Sequence, residues 1–304
     1  MPELPPVRRW EVPSPRGLVH IVHGMAEYGA RYARLAAALN AAGYTVWAHD
    51  HRGHGDHVSA DGAPALRGHF GDTDGWRGLI DDTVRVSEAL QASAPGTPLL
   101  LFAHSMGSFV AQALLGQSGH RYRGVVLSGS GGPPGPLERG LLRVAHLERR
   151  VRGSRMPSRW IQRLVFGTYN RPFAPARTEL DWLSRDTAEV DAYVADARCG
   201  VPLTTQAWVD FLEGKSTLGH PQHLARVPND LPLRLIAGDS DPVGEQGAGV
   251  RRLLDTYRSA GLTQVSLRLY PEARHELMNE TNRDEVTLDL IAWFDATLDA
   301  TSQS

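Results

Sequence analysis

The sequence predicts an α/β fold with a mostly parallel central sheet, helices on both faces of the sheet and an inserted, mainly helical cap. Three observations favour this class. Short apolar runs alternate with longer amphipathic runs, the alternation breaks over one long central segment, and one apolar run ends in a serine that directly precedes a helix-like run. Alternating strands and helices are typical of parallel sheets, because each connecting helix packs back onto the sheet.

Six apolar runs have the composition of strands that are buried on both faces. They are rich in Val, Leu and Ile and lack a strict alternation of apolar and polar residues, as expected inside a parallel sheet. The predicted strands are 17–24, 44–50, 98–104, 124–130, 231–241 and 265–275.

Five further runs are predicted to form helices of the core. Apolar residues recur at helical spacing in 76–93, and the runs 32–43 and 249–261 each end in a glycine, which is a common helix stop. The remaining predicted helices are 107–117, directly after the serine, and 285–298 near the end of the chain.

The regular alternation breaks between about Gly131 and Val227. A Gly/Pro-rich stretch at 129–140 leads out of the core, and the proline-marked segment ARVPNDLP leads back. We therefore expect a first core part at 1–130, a cap at 131–226 and a second core part at 227–304. Most of the cap's aromatic residues are expected to form its own small core, and a few to face the active site.

Composition excludes several classes of protein. The chain has 304 residues, of which 41% are hydrophobic and 22% charged, and a formal net charge of −2. These values are those of an ordinary globular protein and do not indicate a nucleic-acid partner. A single cysteine, Cys199, excludes an internal disulfide. The sequence shows neither a signal peptide nor a run long enough to span a membrane, so we expect a cytoplasmic protein, with its oligomeric state left open.

The segment LLLFAHSMGS, residues 99–108, predicts an exposed nucleophile. A strand that turns sharply into a helix can present a serine at the carboxyl edge of the sheet, where open α/β sheets place their sites. Small neighbours are needed because strand and helix approach closely. Gly107 satisfies this requirement, whereas Ala103 stands where glycine is usual. A plain turn serine is the alternative interpretation of Ser105.

Later segments offer partners for this serine in the expected order of serine, acid and histidine. The predicted strand 231–241 ends in Asp239 and Asp241, and the next strand ends in His275. The spacing alone leaves both aspartates as candidates. An oxyanion hole needs two backbone N–H donors, for which we expect Met106, directly after the serine, and Met25, in the loop after the first core strand.

Seven short motifs cover nearly the whole chain: HGMAEYGARY, DHRGHGDH (50–57), RGHFGDTDGW (67–76), AHSMGS, DWLSRDTAEVDAYVADARCG (181–200), AGDSDPVG and RHELMNE. Together they resemble the α/β-hydrolase superfamily, in the branch of monoacylglycerol lipases, bacterial lysophospholipases and serine aminopeptidases. The resemblance implies Ser105 as nucleophile, His275 as base and Asp241 as acid, with the oxyanion bound by the N–H groups of Met25 and Met106. It implies no cofactor and no metal.

The expected activity is hydrolysis of small-molecule acyl esters such as monoacylglycerols or lysophospholipids, with peripheral contact with membrane lipid considered as well. An aromatic cap suits an acyl chain, because each buried methylene contributes about 0.8 kcal/mol. We expect Trp182, Phe173, Tyr169 and Trp208 to contact the substrate. The alternatives are a broad short-chain esterase and a non-catalytic binding protein with the same fold.

Two further patterns have competing interpretations. An aminopeptidase would need carboxylates for a free α-amino group, for which the candidates are Glu27, Glu179, Asp181, Asp186, Glu189, Asp191 and Asp196. Their helical spacing is more typical of a solvated cap face. The histidines at 49, 51, 54 and 57, with nearby Asp50 and Asp56, could suggest a metal site, but the resembling motif favours a structural loop.

Overall fold

A seven-stranded sheet lies at the centre of the computed structural model, which describes residues 3–57 and 66–300. Across the sheet the strand order is β1-β3-β2-β4-β5-β6-β7, and every neighbouring pair is parallel except β1 with β3. The predicted fold class is therefore confirmed. The strands are β1 Val7–Trp10, β2 Gly17–Val22, β3 Tyr44–His49, β4 Leu99–His104, β5 Gly124–Ser128, β6 Leu233–Gly238 and β7 Val265–Tyr270.

Helices follow most strands, as the alternating pattern predicts. In the described part of the chain the α-helices are α1 Ala33–Ala41, α2 Gly75–Ser93, α3 Met106–Ser118, α4 Pro136–Arg152, α5 Arg159–Phe166, α6 Thr187–Ala195, α7 Thr205–Thr217, α8 Pro221–Leu224, α9 Ala248–Ser259 and α10 Arg283–Asp299. No helix within the described ranges is both long and apolar enough to cross a membrane.

Each face of the sheet has its own apolar core. In β4, Leu99, Leu101 and Ala103 point to one face, and Leu100 and Phe102 point to the other, because side chains alternate along a strand. The first face packs against α2, α3 and α9, and the second packs against α1 and α10. This burial of both faces explains why β2 to β5 are continuous apolar runs. The edge strand β7 is partly exposed and alternates between apolar and polar residues, unlike the prediction for that run.

The sequence analysis did not predict the edge strand β1. Its two central residues, Arg8 and Arg9, are exposed, so its sequence lacks the apolar run that marks the other strands. The guanidinium of Arg9 lies 4.3 Å from the ring centroid of Trp47 on β3, an arrangement in which cation–π attraction supports the pairing.

Between β5 and β6 the chain forms α4 to α8. Helices α4 and α7 run antiparallel: Arg149 near the end of α4 donates to Gln206 at the start of α7 at 2.8 Å, and His146 lies 3.0 Å from Glu213. These links join the two longest helices of this region.

Five buried histidines form a cluster along β2, β3 and the loops that follow them. Neighbouring ring centroids are 4.4 Å apart for His23 and His51, 4.8 Å for His49 and His51, and 5.0 Å for His20 and His49. Burial lowers the pKa of His20 to about 3 and that of His54 to about 4. Burial and neighbouring histidines also lower the pKa of the other three.

We expect acid to destabilise the protein through this cluster. An unfolded histidine binds a proton near pH 6.5, whereas the folded cluster remains neutral until much lower pH. Each buried neutral histidine then lowers the free energy of unfolding by up to about 1.4 kcal/mol per pH unit below its unfolded pKa. Urea unfolding at pH 7, 6 and 5 measures this loss. His20→Gln should make the pH dependence shallower, and the same change at the exposed His220 is the matched control. Equal slopes in wild type and His20→Gln would contradict this account.

Candidate active site

Ser105 lies in the turn between β4 and α3, and its backbone has φ +50° and ψ −121°. A residue with a side chain rarely adopts a positive φ, and such strain is typical of a nucleophile elbow. The backbone N–H of Ser105 donates to the carbonyl of Ser128 at 2.9 Å, which fixes the turn to the neighbouring strand. Ala103 is fully buried within β4, so the extra methyl group is accommodated in the core.

Two glycines make this turn possible. A Cβ on Gly107 would lie 2.4 Å from the carbonyl oxygen of His23 and 2.5 Å from that of Val22. A Cβ on Gly24 would lie 3.1 Å from the Cβ of Ser105. Helix α3 and the loop after β2 therefore meet with only backbone between them, as the sequence pattern indicates for Gly107.

His275 connects Ser105 to Asp241. Its Nε2 lies 2.9 Å from Ser105 Oγ, and its Nδ1 lies 3.0 Å from each carboxylate oxygen of Asp241. Burial by itself would lower the pKa of His275, but the charge and hydrogen bond of Asp241 outweigh it and raise the pKa above 6.5. The imidazole is thus held beside the serine by a buried carboxylate, an arrangement that can accept the proton of a hydroxyl nucleophile.

The structure also places the second candidate acid. Asp239 accepts from the backbone N–H of Glu272 at 2.7 Å and from the hydroxyl of Ser240 at 3.1 Å. Asp241 is fully buried and accepts from the backbone N–H of Val243 at 2.9 Å. The chain turns between the two aspartates, so only Asp241 reaches His275, and Asp239 fastens the loops around it.

Met25 and Met106 flank the serine in the pocket wall. Met106 is the first residue of α3, and the N–H groups of a first helical turn have no partner within the helix. Met25 follows Gly24, whose own N–H donates to the carboxylate of Glu27 at 2.5 Å. The two segments expected to bind an oxyanion therefore lie on either side of Ser105.

A buried ionic network joins the Met25 loop to the His275 loop. Arg31 donates to Glu27 at 2.8 Å and forms two hydrogen bonds of 2.7 Å with the carboxylate of Glu276. Despite burial, Arg31 lowers the pKa of Glu276 to about 2. The sequence analysis did not identify Arg31 or Glu276. The available signal was an acidic residue four positions before a basic one, a spacing that often marks an ion pair, although Tyr28 between them is extended and no helix spans the pair.

The segment of Trp182 and Leu183, between β5 and β6, also contacts the loop that carries the histidine. The backbone N–H of His275 donates to the carbonyl of Trp182 at 3.3 Å, and that of Glu276 donates to the carbonyl of Leu183 at 2.8 Å. The ring of Trp182 packs against the imidazole, with centroids 5.2 Å apart. This segment and the histidine loop are therefore joined by backbone hydrogen bonds.

A cavity of about 640 Å³ opens above Ser105 and His275. Of the four aromatic residues expected to contact substrate, Tyr169, Trp182 and Trp208 line this cavity. Phe173 differs from the prediction: it lies outside the cavity wall, and the guanidinium of Arg274 stacks on its ring at 4.1 Å. Its aromatic face is therefore occupied by an arginine.

Most carboxylates of the aminopeptidase alternative are engaged elsewhere. Among them only Glu27 lines the cavity. Asp186 accepts from the backbone N–H of Ala188 at the start of α6, and the others that have partners pair with arginines or with backbone N–H groups. These pairs are Asp181 with the N–H of Arg177, Glu189 with Arg34, Asp191 with Arg177, and Asp196 with Arg198.

The histidine-rich segment 49–57 had two competing interpretations, a metal site and a structural loop. Asp50 accepts from the backbone N–H groups of Gly29 and Asp56, both at 2.8 Å, so its carboxylate fastens two neighbouring turns. Within residues 3–57 and 66–300, no group of three or more His, Cys, Asp or Glu side chains could hold a metal ion.

Comparison with known proteins places the chain in a family. The family model described as serine aminopeptidase, S33, matches residues 13–282. A monoacylglycerol lipase of Mycolicibacterium smegmatis is 29% identical, over 92% of this chain and 88% of the relative. The human monoglyceride lipase is 26% identical, over 88% of this chain and 78% of the relative.

Solved structures agree with these sequence relatives. A thermostable carboxyl esterase from Bacillus coagulans, solved in complex with glycerol, superposes with a TM-score of 0.86 at 28% identity, covering 96% of this chain and 94% of the esterase. The chain therefore belongs to the serine aminopeptidase S33 family of α/β-hydrolases, in its monoacylglycerol lipase branch, and is a carboxylic-ester hydrolase.

Proposed function

We propose that the protein hydrolyses acyl esters, with monoacylglycerols or lysophospholipids as substrates, through a triad of Ser105, His275 and Asp241. The observation that carries this proposal is the continuous link from Ser105 Oγ through the imidazole to the buried carboxylate, with contacts of 2.9 and 3.0 Å. It lies at the base of a cavity with mainly apolar and aromatic walls.

The proposed reaction has two steps. His275 accepts the proton of Ser105 as the hydroxyl attacks the ester carbonyl, and the N–H groups of Met25 and Met106 bind the oxyanion. His275 then gives the proton to the departing alcohol. Water, activated by the same imidazole, hydrolyses the acyl-enzyme. Asp241 holds the tautomer of His275 and stabilises the imidazolium.

The substrate class rests on the cavity and on the relatives. Apolar walls favour an acyl chain, since each buried methylene contributes about 0.8 kcal/mol. The bacterial and human relatives are lipases that act on monoacylglycerol by name. A short-chain esterase is the second candidate, supported by the carboxyl esterase from Bacillus coagulans. The aminopeptidase alternative is disfavoured, because the one candidate carboxylate in the cavity, Glu27, is already paired with Arg31.

The proposal includes residues 131–226 as a cap that contacts membrane lipid. Large apolar side chains are exposed along one part of it: Leu147 at 63%, Val151 at 76%, Trp160 at 55% and Leu164 at 50%. Arginines are interspersed among them at positions 150, 152, 155, 159 and 163. Apolar side chains among arginines are typical of surfaces that bind anionic lipid.

Ester hydrolysis should depend on Ser105. We expect the wild type to hydrolyse p-nitrophenyl esters from two to sixteen carbons with a maximum at medium or long chains, because the cavity buries methylenes. Ser105→Ala should reduce kcat by at least about 10³-fold, since the nucleophile is lost. A maximum at two to four carbons would favour the short-chain esterase. Equal activity of wild type and Ser105→Ala would exclude Ser105 as the nucleophile.

The decrease of kcat/KM at acidic pH, the acidic limb of its pH profile, should reflect protonation of His275. Its raised pKa means that kcat/KM falls as pH decreases through a value above 6.5, where the imidazole becomes protonated. Asp241→Asn removes the charge that raises this pKa and leaves burial to lower it. The limb should therefore move to lower pH, and kcat should fall by about 10⁴-fold. The control is Asp239→Asn, which should leave the limb in place; an unshifted limb in Asp241→Asn would contradict the assignment.

Arg31 should position the loop that carries Met25. Arg31→Gln leaves Glu27 and Glu276 without their shared cation, and we expect kcat to fall about 10- to 100-fold, because small displacements at a reacting centre are costly. KM should change less. Arg31→Lys retains the charge but loses the paired hydrogen bonds, so it should lie between Arg31→Gln and wild type. Thermal unfolding measures how much of each variant is folded. If activity falls only in proportion to the loss of folded protein, Arg31 has a purely structural role.

A further inference from the structure

One ion pair lies in the wall of the apolar cavity. Between α4 and α7 the wall is formed mostly by apolar side chains, Leu141, Val144, Phe211 and Leu212. Glu138 of α4 and Lys215 of α7 line the same cavity, and the Lys215 ammonium donates to the Glu138 carboxylate. Lys215 Nζ also lies 4.6 Å from the ring centroid of Phe109. Lys215 is the only lysine of the chain.

This pair differs from the other polar links between the same helices. The Lys215 side chain is only 12% exposed. The second carboxylate oxygen of Glu138 accepts from the backbone N–H of Gly135 at 3.2 Å, which holds it at the start of α4. By contrast, neither His146 and Glu213 nor Arg149 and Gln206 line the cavity. Of these three links, only Glu138 with Lys215 faces the substrate space.

Proton transfer indicates which part of the substrate meets this pair. His275 Nε2 must give its proton to the departing alcohol, so the alcohol leaves on the His275 side, where Trp182 packs at 5.2 Å. Phe109 lies on α3 one helical turn beyond Ser105. An acyl chain that extends from Ser105 over Phe109 reaches the ammonium of Lys215.

We propose that the Glu138–Lys215 pair closes the acyl end of the cavity and sets the longest acyl chain that binds productively. This proposal rests on the proposed ester hydrolysis. Methylenes that pack on Phe109 and the apolar wall gain burial, about fourfold in kcat/KM for each methylene. Methylenes beyond the pair meet two charges that would have to be separated or desolvated, so the gain ends there.

The test compares the chain-length profile of kcat/KM in matched variants. Wild type, Lys215→Met/Glu138→Leu and Glu213→Gln are assayed with p-nitrophenyl esters from four to sixteen carbons, below the micellar concentration of each ester. The double variant replaces the pair with apolar side chains of similar length. Glu213→Gln is the control, because it breaks a link between the same two helices outside the cavity. Thermal unfolding monitors whether each variant folds.

The wild-type profile should rise with chain length and then level off or fall. In the double variant the break should move to longer chains, and the ratio of kcat/KM for the sixteen-carbon and four-carbon esters should increase at least tenfold. Glu213→Gln should keep the wild-type profile. If the double variant does not fold, Glu138→Gln, which alters the more exposed partner, should shift the break in the same direction by a smaller amount.

Three results would overturn the proposal: superimposable profiles in wild type and the pair variants, an equal change at every chain length, or the same shift in Glu213→Gln. The failure of the proposed function is a separate outcome. In that case the wild type would hydrolyse none of these esters in a Ser105-dependent manner, and no profile would exist to compare.

Discussion

The close approach of α3 to the loop after β2 is the constraint on which the site depends. Gly107 contacts the backbone carbonyls of Val22 and His23, and Gly24 packs against Ser105. Because no side chain separates these segments, Met25 and Met106 come to flank one serine, and Ser105 is held at a positive φ. Two strands, a helix and a loop are thereby brought to one point at the carboxyl edge of the sheet.

Buried charges beside Ser105 are stabilised by partners of opposite charge. His275 is almost fully buried, and burial alone would disfavour its charged form. Asp241 reverses that preference, so the imidazole can accept a proton inside an apolar cavity. Arg31 has the corresponding role on the other side of the serine, where it allows Glu27 and Glu276 to be buried close together. Each buried anion next to the site thus has a cationic or hydrogen-bonding partner.

Much of the fold was predictable because both faces of the sheet are buried. Central strands then read as apolar runs, whereas the edge strand β1, with exposed Arg8 and Arg9, gives no such signal. The order of serine, acid and histidine along the chain predicted that Ser105 and His275 meet, because the carboxyl ends of parallel strands lie at one edge of the sheet. Local sequence does not predict which aromatic side chains point into the cavity. Phe173 and Trp182 lie nine residues apart, yet of the two only Trp182 lines it.

The hydrogen bonds of Trp182 and Leu183 to the histidine loop have a mechanical consequence. The carbonyls of Trp182 and Leu183 accept from the N–H groups of His275 and Glu276, so movement of this segment is coupled to movement of the histidine loop. A displacement of Trp182 and Leu183 that keeps these hydrogen bonds would also withdraw the imidazole from Ser105. Movement of this segment away from the sheet and readiness for chemistry are then mutually exclusive states of one element.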